Sequence, residues 1–181
     1  MDVSFAPFIS IISGMNGTDQ NLSTTIGWRE WLSLPALTIP AIKAKIDTGA
    51  KTSALHAFKL EPFMQDDEEH IRFWLHPVRH RDIELVCEAK VIDKRIVKDS
   101  GGHSENRYVI NTSACLGNKT WPIDLTLTNR EDMMFRMLLG RRALIDGDFI
   151  VKPEASYLLG KKQQHSYENV SNEANERSQL S

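Results

Sequence analysis

Lys45-Ile46-Asp47-Thr48-Gly49-Ala50 places a single carboxylate at the end of a short apolar run and follows it with a hydroxyl and a glycine. Taken alone, the stretch supports two readings. Asp and Thr hydrogen-bond their own backbone and Gly accepts positive φ, so the tripeptide is ordinary strand-ending turn chemistry. The same residues also suit a catalytic aspartate presented on a tight loop. A second stretch further along, Met137-Leu138-Leu139-Gly140-Arg141-Arg142-Ala143-Leu144, is an apolar run closed by a Gly and an Arg pair.

Together the two stretches resemble the retropepsin family of aspartic proteases. In that family a strand ends in Asp-Thr-Gly-Ala, and a later strand of two apolar residues and a Gly crosses beneath it before a short helix that often begins Gly-Arg. Both halves are present in that order. The flanks narrow the resemblance: Gly27-Trp28-Arg29-Glu30-Trp31, Leu34-Pro35 and the block Ala44 to Ala57 look like the bacterial retropepsin-like group that carries the label "ATP-dependent zinc protease". The resemblance implies a mostly β fold, a closed retropepsin-like (acid protease) β-barrel with one short helix after the Leu-Leu-Gly strand.

Patterning points the same way. His70 to His76 alternates with Ile71, Phe73 and Leu75 on one face, and Trp121 to Thr128 repeats it with Ile123, Leu125 and Leu127. Period-two runs broken by Gln65-Asp66-Asp67, Gly101-Gly102 and Gly117-Asn118 predict strands joined by turns. Only Gly140 to Ile145 reads as helix. The run Val97 to Val109 is two strand-like arms around Gly101-Gly102, a hairpin whose tip Gly-Gly tolerates. In the family the same hairpin is the flap that closes over substrate. Asp99-Ser100-Gly101 is an Asp-Ser-Gly, but the chain has one convincing apolar-apolar-Gly strand to support a catalytic loop, so Asp99 is read as a turn residue.

The chain's 181 residues suit one domain with tails, and 22 basic against 24 acidic side chains argue against a nucleic-acid binder. Residues 1–25 are expected to form a flexible arm. Their apolar run lacks a basic lead and is broken by Pro7, unlike a secretory signal. No run is long enough to span a membrane. Residues 26–160 are expected to form the retropepsin-like domain, and 161–181 a polar tail that buries too little apolar surface to order. Cys87 falls on the apolar side of the alternation Ile83, Leu85, Cys87, Ala89, Val91, as a reduced core thiol does, which fits a cytoplasmic chain. Trp28 and Trp31 are expected to pack the arm onto the domain, Met133, Met134 and Met137 to fill the core, His56 to bond locally and Ser53 to support the Asp47 loop.

Aspartic-protease chemistry needs two carboxyls sharing one proton around a water. One chain supplies one such Asp, so the resemblance implies a homodimer in which Asp47 meets Asp47 across a two-fold axis. It also implies that Thr48 locks the two loops together, that Gly49 leaves room for the substrate backbone, and that Asp148-Phe149-Ile150-Val151 serves dimerisation. Peptide-contacting residues are expected at Ala50, Lys51, Gly101, Gly102 and Arg141.

The chain departs from viral retropepsins at Lys51, where an acidic residue pairs the following Arg. Two readings stay open: a cationic cleft that favours acidic peptides, or a solvated basic rim paired by Glu30 or Glu131. Because relatives associate with glutamate-adding ligases of the ATP-grasp type, glutamate-rich peptides are the expected substrates.

No cofactor is expected. The histidines at 56, 70, 76, 80, 103 and 165 form no zinc spacing, and Gly117-Asn118-Lys119-Thr120 lacks the leading Gly of a phosphate loop. Two other functions stay open, a catalytically inactive peptide-binding module of the same fold and a zinc-dependent hydrolase.

Overall fold

The computed structural model describes residues 23–78, 83–98, 102, 104–129, 134–160 and 167. In chain order the elements are β1 (Thr24–Gly27), β2 (Arg29–Leu34), a 3-10 turn (Pro35–Leu37), β3 (Ile39–Asp47), β4 (Ser53–His56), β5 (Lys59–Gln65) and β6 (Glu68–Leu75). They continue with β7 (Leu85–Lys98), β8 (Ser104–Leu116), β9 (Lys119–Thr128), β10 (Met137–Gly140), α1 (Arg141–Asp146) and β11 (Phe149–Lys152).

The period-two runs are strands because alternate side chains meet one core. Ile71, Phe73 and Leu75 of β6 are buried while Arg72 is exposed, and Trp121, Ile123, Leu125 and Leu127 of β9 are buried while Pro122 is exposed. The alternation lapses at Thr126, which is also buried, and its hydroxyl is satisfied by donating to the Ser53 carbonyl at 3.0 Å. Strands β2 to β10 form a nine-stranded sheet in the order β2-β3-β10-β4-β9-β8-β7-β6-β5. The sheet curls back on itself where Ser33 of β2 pairs with Cys115 of β8. At its other end β5 pairs, among the described residues, only with β6, and it carries Pro62, which an edge strand tolerates because it needs no inward N–H donor there.

Two crossings position the site. β10 runs parallel to β3, with Gly140 in register with Asp47, and antiparallel to β4 on its other side. β4 in turn runs parallel to β9. The two strands that follow each other around the Asp47 loop are thus separated in space by a strand from much later in the chain.

β11 pairs parallel with β1 of its own chain in a separate two-stranded sheet. Glu30 ties β2 to the segment after β11: it is fully buried, and its Oε1 accepts the Gly27 and Leu158 N–H groups at 2.7 and 2.9 Å while Oε2 accepts that of Leu159 at 3.4 Å. Glu30 is therefore occupied and does not pair a basic rim, and Glu131 lies outside the described residues.

Several local expectations are revised. Tyr167, within the polar tail, is buried with Trp31, Ala41 and Val78, and its hydroxyl donates to the Ala41 carbonyl. Trp31 thus packs with Tyr167, whereas residues 1–22 of the arm and the rest of 161–181 lie outside the described residues. Trp28 packs edge-on against Phe135 with ring centres 5.7 Å apart. Met137 is buried as expected, but Met134 is exposed because it precedes β10 instead of lying in it, and Met133 is not among the described residues.

Cys87 is a buried free thiol that donates to the Leu37 carbonyl at 3.2 Å, and burial pushes its pKa up to about 12. Gly117-Asn118 is the tight turn between β8 and β9, with Gly117 at φ +61°, and Lys119 donates to the Gly147 carbonyl at 2.8 Å. The phosphate-loop likeness there is a hairpin.

Candidate active site

Asp47 is the last residue of β3, and its Oδ1 accepts the N–H groups of Gly49 and Ala50, each at 3.0 Å. The carboxylate thus folds its own loop, while Oδ2 has no protein partner among the described residues. Gly49 does not use the left-handed region; its need for smallness lies elsewhere, since a Cβ there would sit 3.3 Å from Asp47 Oδ1.

The start of α1 grips this loop from below. The Arg141 N–H donates to the Ala50 carbonyl at 2.8 Å and the Arg142 N–H to the Lys51 carbonyl at 3.2 Å. These loop carbonyls satisfy two of the orphan donors at the helix start, where Gly140 offers no side-chain cap. The Gly140 N–H donates to Ser53 Oγ at 3.0 Å, so Ser53 supports the loop through its hydroxyl as expected. A Cβ on Gly140 would come within 2.6 Å of the Thr52 carbonyl carbon and 2.7 Å of its oxygen, both backbone atoms that cannot swing aside. The conjunction of Asp-Thr-Gly and Leu-Leu-Gly in the sequence is this contact.

Thr48 and Gly49 are exposed and Asp47 is half-buried, so the loop faces outward. Beside it lies a cleft of about 550 Å³, whose lining includes Gly49, Ala50 and Lys51 of the loop, Arg142 of α1, and Arg95 and Arg107. Arg95 and Arg107 belong to the β7–β8 hairpin, which is paired up to Lys98↔Ser104. Gly102 at its tip is exposed with φ +85°, as a tight turn requires, whereas Gly101 and Asp99 are outside the described residues.

Of the expected peptide contacts, Ala50 and Lys51 line the cleft. Arg141 does not; its Nη1 donates to the Thr48 carbonyl at 3.2 Å and braces the loop, and its neighbour Arg142 takes the cleft position. Arg95 and Arg107 escaped the sequence reading, although their placement on either side of Gly101-Gly102 was a usable signal for opposite arms of one hairpin.

Among the described residues no group of three His, Cys, Asp or Glu side chains is arranged to hold a metal. His70 and His76 hydrogen-bond with the Glu68 and Ile83 carbonyls, and His56 is buried behind the loop, while His80, His103 and His165 lie outside the described residues. No helix among the described residues is long and apolar enough to cross a membrane.

This geometry can be set beside known proteins. The chain is 49% identical over 138 residues to a probable alpha-L-glutamate ligase of Shewanella pealeana, covering 76% of this chain and 30% of that one. It is also 49% identical over 142 residues to a protein of the same name from Desulfotalea psychrophila, covering 78% and 30%. The chain therefore spans about 30% of the length of these relatives. Among solved structures it is similar to Lpg0085 of Legionella pneumophila, a protein of unknown function, with TM-score 0.64 and 29% identity over 75% of this chain and 98% of that one. The family model described as "Retropepsin-like aspartic endopeptidase RimB" matches residues 25–162. Spanning both the Asp47 loop and the Gly140 strand that supports it, that match makes the chain a member of the RimB-like family of retropepsin-like aspartic endopeptidases.

Proposed function

We infer that the curled sheet is a retropepsin-like barrel and that two copies of it form one aspartic peptidase site. The observation that carries this reading is the Asp47 loop: its carboxylate has one oxygen engaged and one unengaged, and the loop is seated on Gly140 and α1. No hydrogen bond joins Asp47 to a second carboxylate among the described residues, and in this reading the second carboxyl comes from a second copy. A two-fold axis beside the loop brings the two Oδ2 atoms together, and exposed Thr48 is placed to lock loop to loop. Among the described residues β1 and β11 pair only with each other, and their outer edges are free to extend with the partner's strands.

Like charges at such separation cannot both ionise, so the pair holds one proton. The ionised carboxyl takes a proton from a water lying between the two, and the water attacks the peptide carbonyl carbon. The protonated carboxyl meanwhile donates to the carbonyl oxygen. Collapse of the tetrahedral intermediate breaks the C–N bond as a proton passes to the leaving amine, and the pair returns to its shared-proton state.

The substrates in this reading are acidic, glutamate-rich peptides or tails. Lys51 and Arg142 support it, since neither side chain has an acidic partner among the described residues and both line the cleft. So does the likeness to proteins named as probable alpha-L-glutamate ligases, which suggests a functional link to an ATP-grasp glutamate ligase. A cytoplasmic place is supported by the two free cysteines.

The test is cleavage of an acidic and a neutral peptide library by wild type and Asp47→Asn, with sedimentation on the same samples. The expected result is cleavage by the wild type, no cleavage by a variant that still sediments as a dimer, and faster cutting of the acidic library. An equally active variant would refute the aspartic mechanism; a wild type that binds peptides without cutting them would favour the peptide-binding module.

A further inference from the structure

We propose that Arg95, Arg107 and Arg142 form a carboxylate-binding subsite that reads one acidic side chain of the bound peptide. This rests on the peptide-cleft reading and assigns its specificity to particular residues.

The first observation is the register of the hairpin. Arg95 on β7 and Arg107 on β8 are directly opposite each other. Like charges in that position repel, and Asp93 and Asp124 beside Arg95 and Glu105 beside Arg107 offset that repulsion on the side away from the cleft lining. The second is burial. Arg107 is 8% exposed, and the ion pair from its Nε to Glu105 Oε2 at 2.7 Å leaves its Nη atoms without a partner among the described residues. That pair uses one of the five N–H donors of the guanidinium, and the fork left on the Nη side suits a carboxylate taken bidentately.

The third observation is the composition of the cleft. Besides these two arginines it is lined by Arg142 and Lys51, and among the described residues no Asp or Glu lines it. The acids that compensate the hairpin arginines, Asp93 and Asp124 for Arg95 and Glu105 for Arg107, are absent from the lining. The cleft therefore presents positive charge to whatever enters it. Ala54 and Leu138 are also in its lining and offer apolar contact to the methylene stem of a glutamate, which a bare inorganic anion lacks. Gly49 and Ala50 line the same cleft, so a peptide laid beside Asp47 presents a side chain to the arginines.

The test uses two peptides that differ only by Glu or Gln at one position near the scissile bond, scanned along the sequence. It measures kcat/KM for wild type, Arg142→Gln and Arg95→Gln, both on accessible side chains, with Arg107→Lys as a variant that keeps the charge but not the fork. Wild type is expected to prefer Glu at one position by about tenfold or more. In each variant that preference falls towards unity at that position and stays unchanged elsewhere. A preference that persists in all three variants overturns the subsite. Peptide binding by full-length Asp47→Asn, read by fluorescence anisotropy, separates the two claims. If no peptide is cut but this variant binds the Glu peptide over the Gln peptide, and Arg142→Gln abolishes that difference, the subsite stands and the peptidase reading fails. Equal binding of both peptides overturns the subsite.

Discussion

Ser53→Ala removes a single oxygen atom that holds the Asp47 loop to the strand beneath it. Ser53 is 1% exposed, and its Oγ is the acceptor for the Gly140 N–H at 3.0 Å across the sheet. Without Oγ that N–H is a buried donor with nothing to bond, since its geometry is held by the contacts of Gly140 with Thr52 and Ser53 backbone. An orphaned buried donor costs about 1–3 kcal/mol, well above the few tenths expected of a surface Ser→Ala change. With a urea slope of about 2 kcal/mol per molar, the unfolding midpoint falls by about 0.5–1.5 M with the slope unchanged. Because Gly140 is in register with Asp47, peptidase activity should fall even though every catalytic atom is present. The assay is urea unfolding followed by tryptophan fluorescence, with peptide cleavage on the same preparations. A midpoint within 0.2 M of wild type, about 0.4 kcal/mol on that slope, would mean that the hydroxyl braces nothing.

Three further outcomes follow from named contacts. Glu30→Gln replaces an oxygen facing the Leu159 N–H, or those of Gly27 and Leu158, by an amide donor, and the clash of donors in a fully buried site should cost about 2 kcal/mol in urea unfolding. Cys87, pushed up to about 12 by burial, stays a neutral thiol in the native chain at pH 8, so a thiolate-directed reagent should label the half-exposed Cys115 first and Cys87 only on unfolding. The sign of its linkage is that the unfolded chain loses the thiol proton first, so this group's contribution to stability is present below the ordinary thiol pKa of 9.0 and is lost as pH rises towards 12. Tyr167→Phe keeps the ring against Trp31 but frees the Ala41 carbonyl, and should cost about 1 kcal/mol, whereas Tyr167→Ala also empties the slot and should cost about 3–5 kcal/mol, both by urea unfolding.

The parts of this molecule that were legible in the sequence are those whose physics is local or repeated. Alternation in β6 and β9 reports a single buried face, and a Gly pair between two such runs reports a hairpin, because both depend on neighbours in the chain. The Asp47 and Gly140 stretches were readable as partners through family likeness alone; nothing local says that β10 inserts between β3 and β4. What was missed depends on where distant residues land. Tyr167 is one aromatic in a polar stretch, and average composition hides a single side chain that finds a slot beside Trp31. Arg141 and Arg142 are adjacent and chemically equal, and only the direction of the first turn of α1 decides that the first braces Thr48 while the second enters the cleft. Glu30 looked like a partner for surface charge, but its acceptors are consumed by backbone from the far end of the domain.

If each active site takes one Asp47 from each of two chains, mixed dimers are inactive, and subunit mixing reads this out. Wild type and Asp47→Asn are combined at fixed total concentration, allowed to exchange, and assayed on one acidic peptide across the whole range of mixing ratios. If both carboxyls are required, only wild-type homodimers cut, and activity follows the square of the wild-type fraction, about one quarter in an equal mixture. Activity that falls in simple proportion to the wild-type fraction, in samples whose exchange is confirmed by mass-tagged subunits, would mean that a site does not need an Asp47 from each chain.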